Sequence, residues 1–201
     1  MRQTIRDFAK KELPDNTLLI TCGLPASGKT ITSQMIAKER GFQVLRTDTI
    51  RLDVLKNEDV FDQETASDMN KRMAVYNEMF KRAGKMAEKG CGIILDATFI
   101  TQALRKRAAS IAAEHSMLFA IQENICPGDI CIRRISERTK EDYQSNAISE
   151  QAYTNNLKRF EPVDIDDIKK LYPSLQILHF TVDSSSDVPE KWYIASIDKK
   201  S

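Results

Sequence analysis

The sequence predicts an α/β fold in which helices cover both faces of a parallel sheet, and three observations carry that prediction. Five apolar, β-branched runs have strand character: Leu18–Cys22, Gln43–Asp48, Gly92–Asp96, Met117–Asn124 and Gln176–Val182. Helical periodicity fills most of the long gaps between them, and long connections between apolar strands imply crossover helices. The third observation is a glycine-rich turn, "GLPASGKT", set between the first strand and a helical pattern beginning Ile31, Met35, Ile36.

Taken in order, the first sixteen residues are amphipathic and charged, without the apolar core of a signal peptide. After the first strand and its turn, the second strand ends in "VLRTDTIR". The longest helix is expected from about Asp62 to Lys89, with Met69, Met73, Tyr76, Phe80, Ala83 and Ala87 on one apolar face. Gly90 closes it in the usual C-terminal position. The third strand runs into "GIILDATF", and a basic helix, "GDICIRRISERTKED", follows Pro127. A polar stretch leads to a helix from about Ser149 to Phe160, which stops before Pro162. In the tail, Trp192, Tyr193 and Ile197 suit a short helix docked on the domain. No repeat or low-complexity linker divides residues 1–201, so a single domain is expected.

Composition narrows the function classes. Lys+Arg of 30 against Asp+Glu of 29 leaves a net charge of +1, so no global basic field announces nucleic acid. No apolar run approaches the roughly 18 residues of a membrane span. Cys22, Cys91, Cys126 and Cys131 fit no zinc spacing, and a reduced, cytoplasmic setting is expected.

Gly23-x-x-x-x-Gly28-Lys29-Thr30 is the phosphate-binding P-loop pattern. Its glycines let successive amide N–H groups turn inward, and the next helix adds a positive dipole end. The segment Gly23, Leu24, Pro25, Ala26, Ser27, Gly28, Lys29 and Thr30 is therefore the expected ATP-binding loop. Lys29 would reach the β/γ-phosphates and Thr30 would ligate Mg²⁺.

Three further features bear on where the phosphate goes. Asp48, at a strand C-terminus, can accept a hydroxyl proton from an acceptor, with Arg51 on the same side; its plain alternative is a helix cap. Asp96 ends an apolar strand where the acidic partner of the Mg²⁺ shell is found, and Thr98 and Arg105 follow on the acceptor side. Arg134 and Arg138 lie at i and i+4, one helix face that either is solvated or closes over a triphosphate as a lid of about 134–150.

GLPASGKT, TDTIR, ILDATF with Arg105 after it, RISER, SNAIS and the "FEP" of Phe160–Pro162 occur here in that order. Together they resemble the zeta-toxin and polynucleotide-kinase-like branch of P-loop kinases, closest to stand-alone predicted kinases. These are related to ATP-binding domains fused to aminoglycoside-phosphotransferase-like modules. The resemblance spans about Leu18 to Asp183. It implies a three-layer P-loop NTPase fold with five parallel strands in the order 2-3-1-4-5 and a helical lid. It also implies Asp48 as the acceptor-activating carboxylate and Arg134 and Arg138 as lid arginines. Ala26 departs from the glycine that relatives often carry, which bears on the geometry of the loop.

The leading reading is an ATP- and Mg²⁺-dependent kinase acting on the hydroxyl of a small molecule. A 5′-hydroxyl polynucleotide kinase would need exposed aromatics, whereas Phe61, Tyr76, Phe80 and Phe99 lie mostly on apolar stripes. A non-catalytic ATP-binding regulator would leave the Lys29, Thr30, Asp48, Asp96 and arginine set without a task.

Overall fold

The computed structural model describes residues 2–56, 58, 65, 68–138 and 149–201. Helix α1 (Ile5–Glu12) precedes strand β1 (Thr17–Cys22), followed by α2 (Lys29–Arg40), β2 (Gln43–Arg46) and α3 (Thr47–Val54). Next come α4 (Met69–Ala87), β3 (Ile93–Asp96), α5 (Gln102–Glu114), β4 (Leu118–Ile125), α6 (Gly128–Ser136) and α7 (Glu150–Leu157). The chain ends with α8 (Ile165–Leu171), β5 (Ile177–Asp183) and β6 (Tyr193–Lys200).

One sheet carries all six strands in the order β2-β3-β1-β4-β5-β6. Pairing is parallel from β2 to β5, and β6 runs antiparallel to β5. Successive residues of β1 serve opposite faces. Leu18, Ile20 and Cys22 enter a cluster with α3, α4, α5 and α8, while Leu19 enters another with α1 and α2. Both faces are covered, which is why β1 is an unbroken apolar run rather than an alternation. Among the described residues no helix is long and apolar enough to cross a membrane.

The sheet corrects the expectation of five parallel strands. The tail forms a sixth strand instead of a docked helix, and only Pro189–Lys191 makes a single 3₁₀ turn. Trp192 and Ile194 are buried against the second cluster, while Asp198, Lys199 and Lys200 occupy the outer half of the strand, where charge suits an exposed edge.

Two boundaries also move. Helix α4 begins at Met69, where the Asp68 carboxylate accepts from the Asn70 and Lys71 amides; residues 62–64, 66 and 67 of the expected helix lie outside the described residues. Met69 is 43% exposed, and the buried face runs instead through Val75, Tyr76, Met79, Phe80, Ala83 and Ala87. Strand β2 ends at Arg46, so Thr47 and Asp48 already belong to α3.

A third, smaller cluster joins Ala26 of the glycine-rich loop to Cys131 and Ile135 of α6 and Tyr153 of α7. The two stems of the expected lid are thus packed onto the loop itself. Residues 139–148, between these stems, lie outside the described residues.

Candidate active site

The glycine-rich loop occupies the C-terminal edge of β1, the position where open α/β sheets collect ligands. Gly28 adopts φ 82° immediately before α2, and Ala26 adopts φ 61°. A left-handed alanine costs about 1–2 kcal/mol. Here its methyl group is buried among Cys131, Ile135 and Tyr153, an anchorage that glycine lacks. The departure at Ala26 therefore leaves the loop in place and ties it to the lid stems.

Lys29 is buried rather than solvent-facing, and its Nζ donates to the Leu24 carbonyl at 2.6 Å. Beneath it, Thr32, Gln122 and Asn124 form a closed polar net: Gln122 Nε2 donates to Thr32 Oγ1 at 2.8 Å and to Asn124 Oδ1 at 2.7 Å. This net holds the start of α2 to β4. Gln122 and Asn124 are buried polar residues within an apolar strand, a mismatch that sequence reasoning passed over.

Gly28 is also covered. A Cβ there would lie 2.4 Å from the Trp192 ring, whereas one at Gly41, also left-handed at φ 69°, meets nothing within 4 Å. Gly28→Ala should therefore lose about 3 kcal/mol, from backbone strain plus overpacking, against about 1 kcal/mol for Gly41→Ala. Urea unfolding of both variants checks this; equal losses would mean that Trp192 yields freely.

The loop opens on a cleft of about 560 Å³. Pro25, Ala26, Gly28, Lys29 and Thr30 line it; Gly23, Leu24 and Ser27 do not. Gly23 instead donates its amide to the Thr98 carbonyl, Leu24 serves through its carbonyl, and the Ser27 hydroxyl is turned inside the loop. Six basic side chains (Lys29, Arg51, Arg72, Arg133, Arg134 and Arg138) face four acidic ones, Asp48, Asp96, Glu137 and Asp187. The cleft thus has a positive excess that the whole-chain charge conceals.

Asp48 and Arg51 both line this cleft from the first turns of α3. The N-cap position of that helix is Arg46, so Asp48 lies inside its first turn rather than at the cap. Asp96, at the end of β3, is 4% exposed and accepts from Thr21 Oγ1 at 3.2 Å. Its Oδ2 lies 3.4 Å from Arg46 Nε in an ion pair but takes no hydrogen bond. Thr98 Oγ1 lies 3.4 Å from the Tyr76 hydroxyl.

The two lid arginines differ. Arg134 donates to the carbonyls of Ser184 and Ser186 at 3.0 and 2.8 Å and to that of Ala26 at 3.4 Å, and its guanidinium lies 5.4 Å from the Trp192 ring. It fastens α6 to the glycine-rich loop and to the β5–β6 turn. Arg138 reaches the cleft one turn later; burial lowers its pKa, and the Asp48 charge opposes that shift.

Arg105 corrects an expectation. Fully buried, it does not line the cleft. Its guanidinium donates to the carbonyls of Phe99, Ile100, Glu161 and Pro162 at 2.9, 3.3, 2.6 and 2.8 Å. The Phe160 ring lies 5.5 Å from it. Arg105 therefore clamps the segment after α7 to the loop after β3, and the "FEP" stretch is the other half of that clamp.

Sequence reasoning missed Arg72, Asn156, Asp187 and Pro189 as cleft residues and placed Trp192 only as a docking residue. None belongs to a short motif. The tail reaches the cleft only because β6 folds back along β5. Tyr76, Phe80 and Phe99 pack on one another with centroids 5.4–6.2 Å apart and are buried, with Tyr76 also bordering the cleft; Phe61 lies outside the described residues. Among the described residues no three His, Cys, Asp or Glu side chains group to hold a metal.

The AAA domain family model (AAA_33) matches residues 18–163. The chain belongs to this family. As an AAA_33 member it is an AAA domain, and several solved structures share its fold. A sugar kinase from a Janibacter species is 14% identical with a TM-score of 0.58, over 89% of this chain and 90% of that one. A gluconokinase from Sinorhizobium meliloti is 11% identical with a TM-score of 0.55, over 85% and 84%. The AvrRxo1-ORF1:-ORF2 structure with ATP is 12% identical with a TM-score of 0.59, over 96% of this chain and 61% of that chain. At these identities the likeness is one of fold. No curated protein matches the chain by sequence.

Proposed function

We propose that this AAA_33 domain is an ATP-dependent kinase that transfers the γ-phosphoryl group to a hydroxyl of a small molecule. The observation that carries this reading is the single cleft shared by the P-loop, Asp48 and Arg138. A carboxylate beside a nucleotide-binding loop can serve a metal ion or a second reactant; Asp96 is placed for the ion, which leaves Asp48 for the reactant. The kinase names of two fold neighbours support the same class.

In this mechanism the acceptor oxygen attacks the γ-phosphorus, the bond to the β,γ-bridging oxygen breaks, and ADP leaves. Asp48 orients the acceptor hydroxyl and takes its proton. Lys29 leaves the Leu24 carbonyl for the β/γ-phosphates, and Arg138 stabilises charge on the moving phosphoryl group. Arg134 holds the wall of the nucleotide end, with Trp192 behind it. Thr30 and Asp96 are the residues that would hold Mg²⁺; the buried Asp96 Oδ2, without a hydrogen bond, suits a metal-bound water. When bound, the ion supplies charge neutralisation between the β- and γ-phosphates. We place the domain in the zeta-toxin and polynucleotide-kinase-like branch, as a single unit over residues 1–201.

Asp48→Asn tests the reading. Amide for carboxylate keeps the shape but removes the proton acceptor, so transfer should fall about 10²-fold or more. ATP affinity should stay within about twofold. A screen with γ-labelled ATP and a metabolite library supplies the acceptor, and steady-state kinetics with ATP titration then decide. Normal turnover in Asp48→Asn would sink the catalytic role.

A further inference from the structure

Two arginines that line the cleft, Arg51 and Arg72, stand without a carboxylate partner among the described residues. Arg51, one turn beyond Asp48 on α3, is only 8% exposed, and its Nε and Nη1 are buried with no hydrogen-bond acceptor. Arg72, in the first turns of α4, lines the same cleft and donates to Asn156 Oδ1, a neutral amide oxygen, at 3.4 Å. Burial lowers the Arg72 pKa, and the charges of Arg159 and Arg51 press it in the same direction. Among the described residues no carboxylate forms an ion pair with Arg51 or Arg72.

Buried guanidinium groups are ordinarily paired, because their N–H donors and charge are costly to leave unsatisfied. The other buried arginine of this region follows that rule: Arg105 is saturated by four carbonyls. Arg51 does not, and its neighbour on the cleft wall repels it. Such a pair is organised for something that arrives from solvent, and a planar fork of donors matches an oxyanion.

We infer that Arg51 and Arg72 form an anion subsite, so that the acceptor is an acidic alcohol bearing a carboxylate or phosphate group near the hydroxyl presented to Asp48. This rests on the kinase reading for the identity of the cleft, and it adds the chemical class of the acceptor. Asp48 alone would repel an anion. With Arg51 one turn from Asp48 on α3 and Arg72 in the same cleft, the arginines hold the acid group and the hydroxyl is left beside the carboxylate. The subsite thus orients the acceptor as well as binding it.

The test is a binding measurement that needs no turnover. The full chain is saturated with Mg²⁺ and the β,γ-imido analogue of ATP, which fills the P-loop, and is titrated calorimetrically with inorganic phosphate and, separately, with glycolate. We expect saturable binding of at least one anion. Arg51→Gln and Arg72→Gln should each weaken it about tenfold or more. Affinity for the analogue and the melting temperature should be retained. Tighter phosphate binding assigns a phosphorylated alcohol, and tighter glycolate binding a hydroxy acid. Absence of saturable binding by either anion overturns the subsite, as does equal affinity in the Arg51→Gln/Arg72→Gln double variant. Failure of the analogue to bind would be seen in its own titration and would count against the kinase reading. In that case, anion titration of the Lys29→Ala chain, whose P-loop cannot hold phosphate tightly, decides the subsite by itself.

Discussion

Lys29→Ala should lower phosphoryl transfer about 10³-fold while the chain remains folded. In the proposed mechanism the ammonium group turns to the β/γ-phosphates, and losing a charge-stabilising donor of this kind costs about 10²–10³-fold or more. The fold should survive because the only bond given up is Nζ to the Leu24 carbonyl. Burial, opposed by the Asp96 charge, pulls the Lys29 pKa down to about 8. Triphosphate selects the protonated amine, so affinity should hold below about pH 8 and fall by about tenfold per unit above it. Stability moves the other way. Between about pH 8 and the ordinary lysine range the unfolded chain holds the additional proton, so this group adds stability as pH rises through that window. Lys29→Ala should flatten both profiles. Titration of ATP from pH 7 to 9.5, with denaturant unfolding at each pH, measures them together. Unchanged affinity and activity in the variant would remove the P-loop assignment.

Arg105→Met should cost about 3–5 kcal/mol of stability, the largest structural loss expected here. Methionine fills much of the volume but leaves the carbonyls of Glu161 and Pro162 without the donors that now satisfy them. Buried unsatisfied acceptors cost about 1–3 kcal/mol each, and the clamp between the β3–α5 loop and the segment after α7 opens with them. Arg105→Lys should recover little, since one ammonium cannot reach four carbonyls in two planes. A substrate-binding role predicts a different pattern: a raised KM in a chain of normal stability. Thermal unfolding of both variants beside their kinetics distinguishes the two.

Much of the architecture was legible because its signals are local. An apolar strand, a glycine-rich turn and a helix start lie within two dozen residues, and the P-loop is built from backbone that those residues alone dictate. The five parallel strands were readable from apolar runs because both faces of the sheet are buried. Asp96 was readable because it stands at the end of such a run, whereas Asp48, expected at a strand end, falls in the first turn of α3.

The rest depended on which distant segments meet. Arg105 and Arg51 are both arginines beside a motif, and nothing in the adjacent residues separates them. One falls against four carbonyls contributed from two segments and becomes a clamp. The other faces the cleft, and its Nε and Nη1 meet no acceptor among the described residues. Arg134 and Arg138 share a helix periodicity, yet the β5–β6 turn captures the first and leaves the second beside Asp48. The tail shows the same division. Its residues carry a weak alternation that suits either a strand or a docked turn, and only an available edge on β5 makes it β6. Once there, it brings Trp192 over Gly28 and Asp187 and Pro189 into the cleft. Backbone conformation and burial periodicity are properties of neighbouring residues, so the sequence by itself determined the sheet, the phosphate loop and the acidic end of β3. The partner of a long polar side chain is set by groups that tertiary packing brings within a few ångströms, so only the folded chain decided which arginines fasten segments of the protein together and which line the cleft.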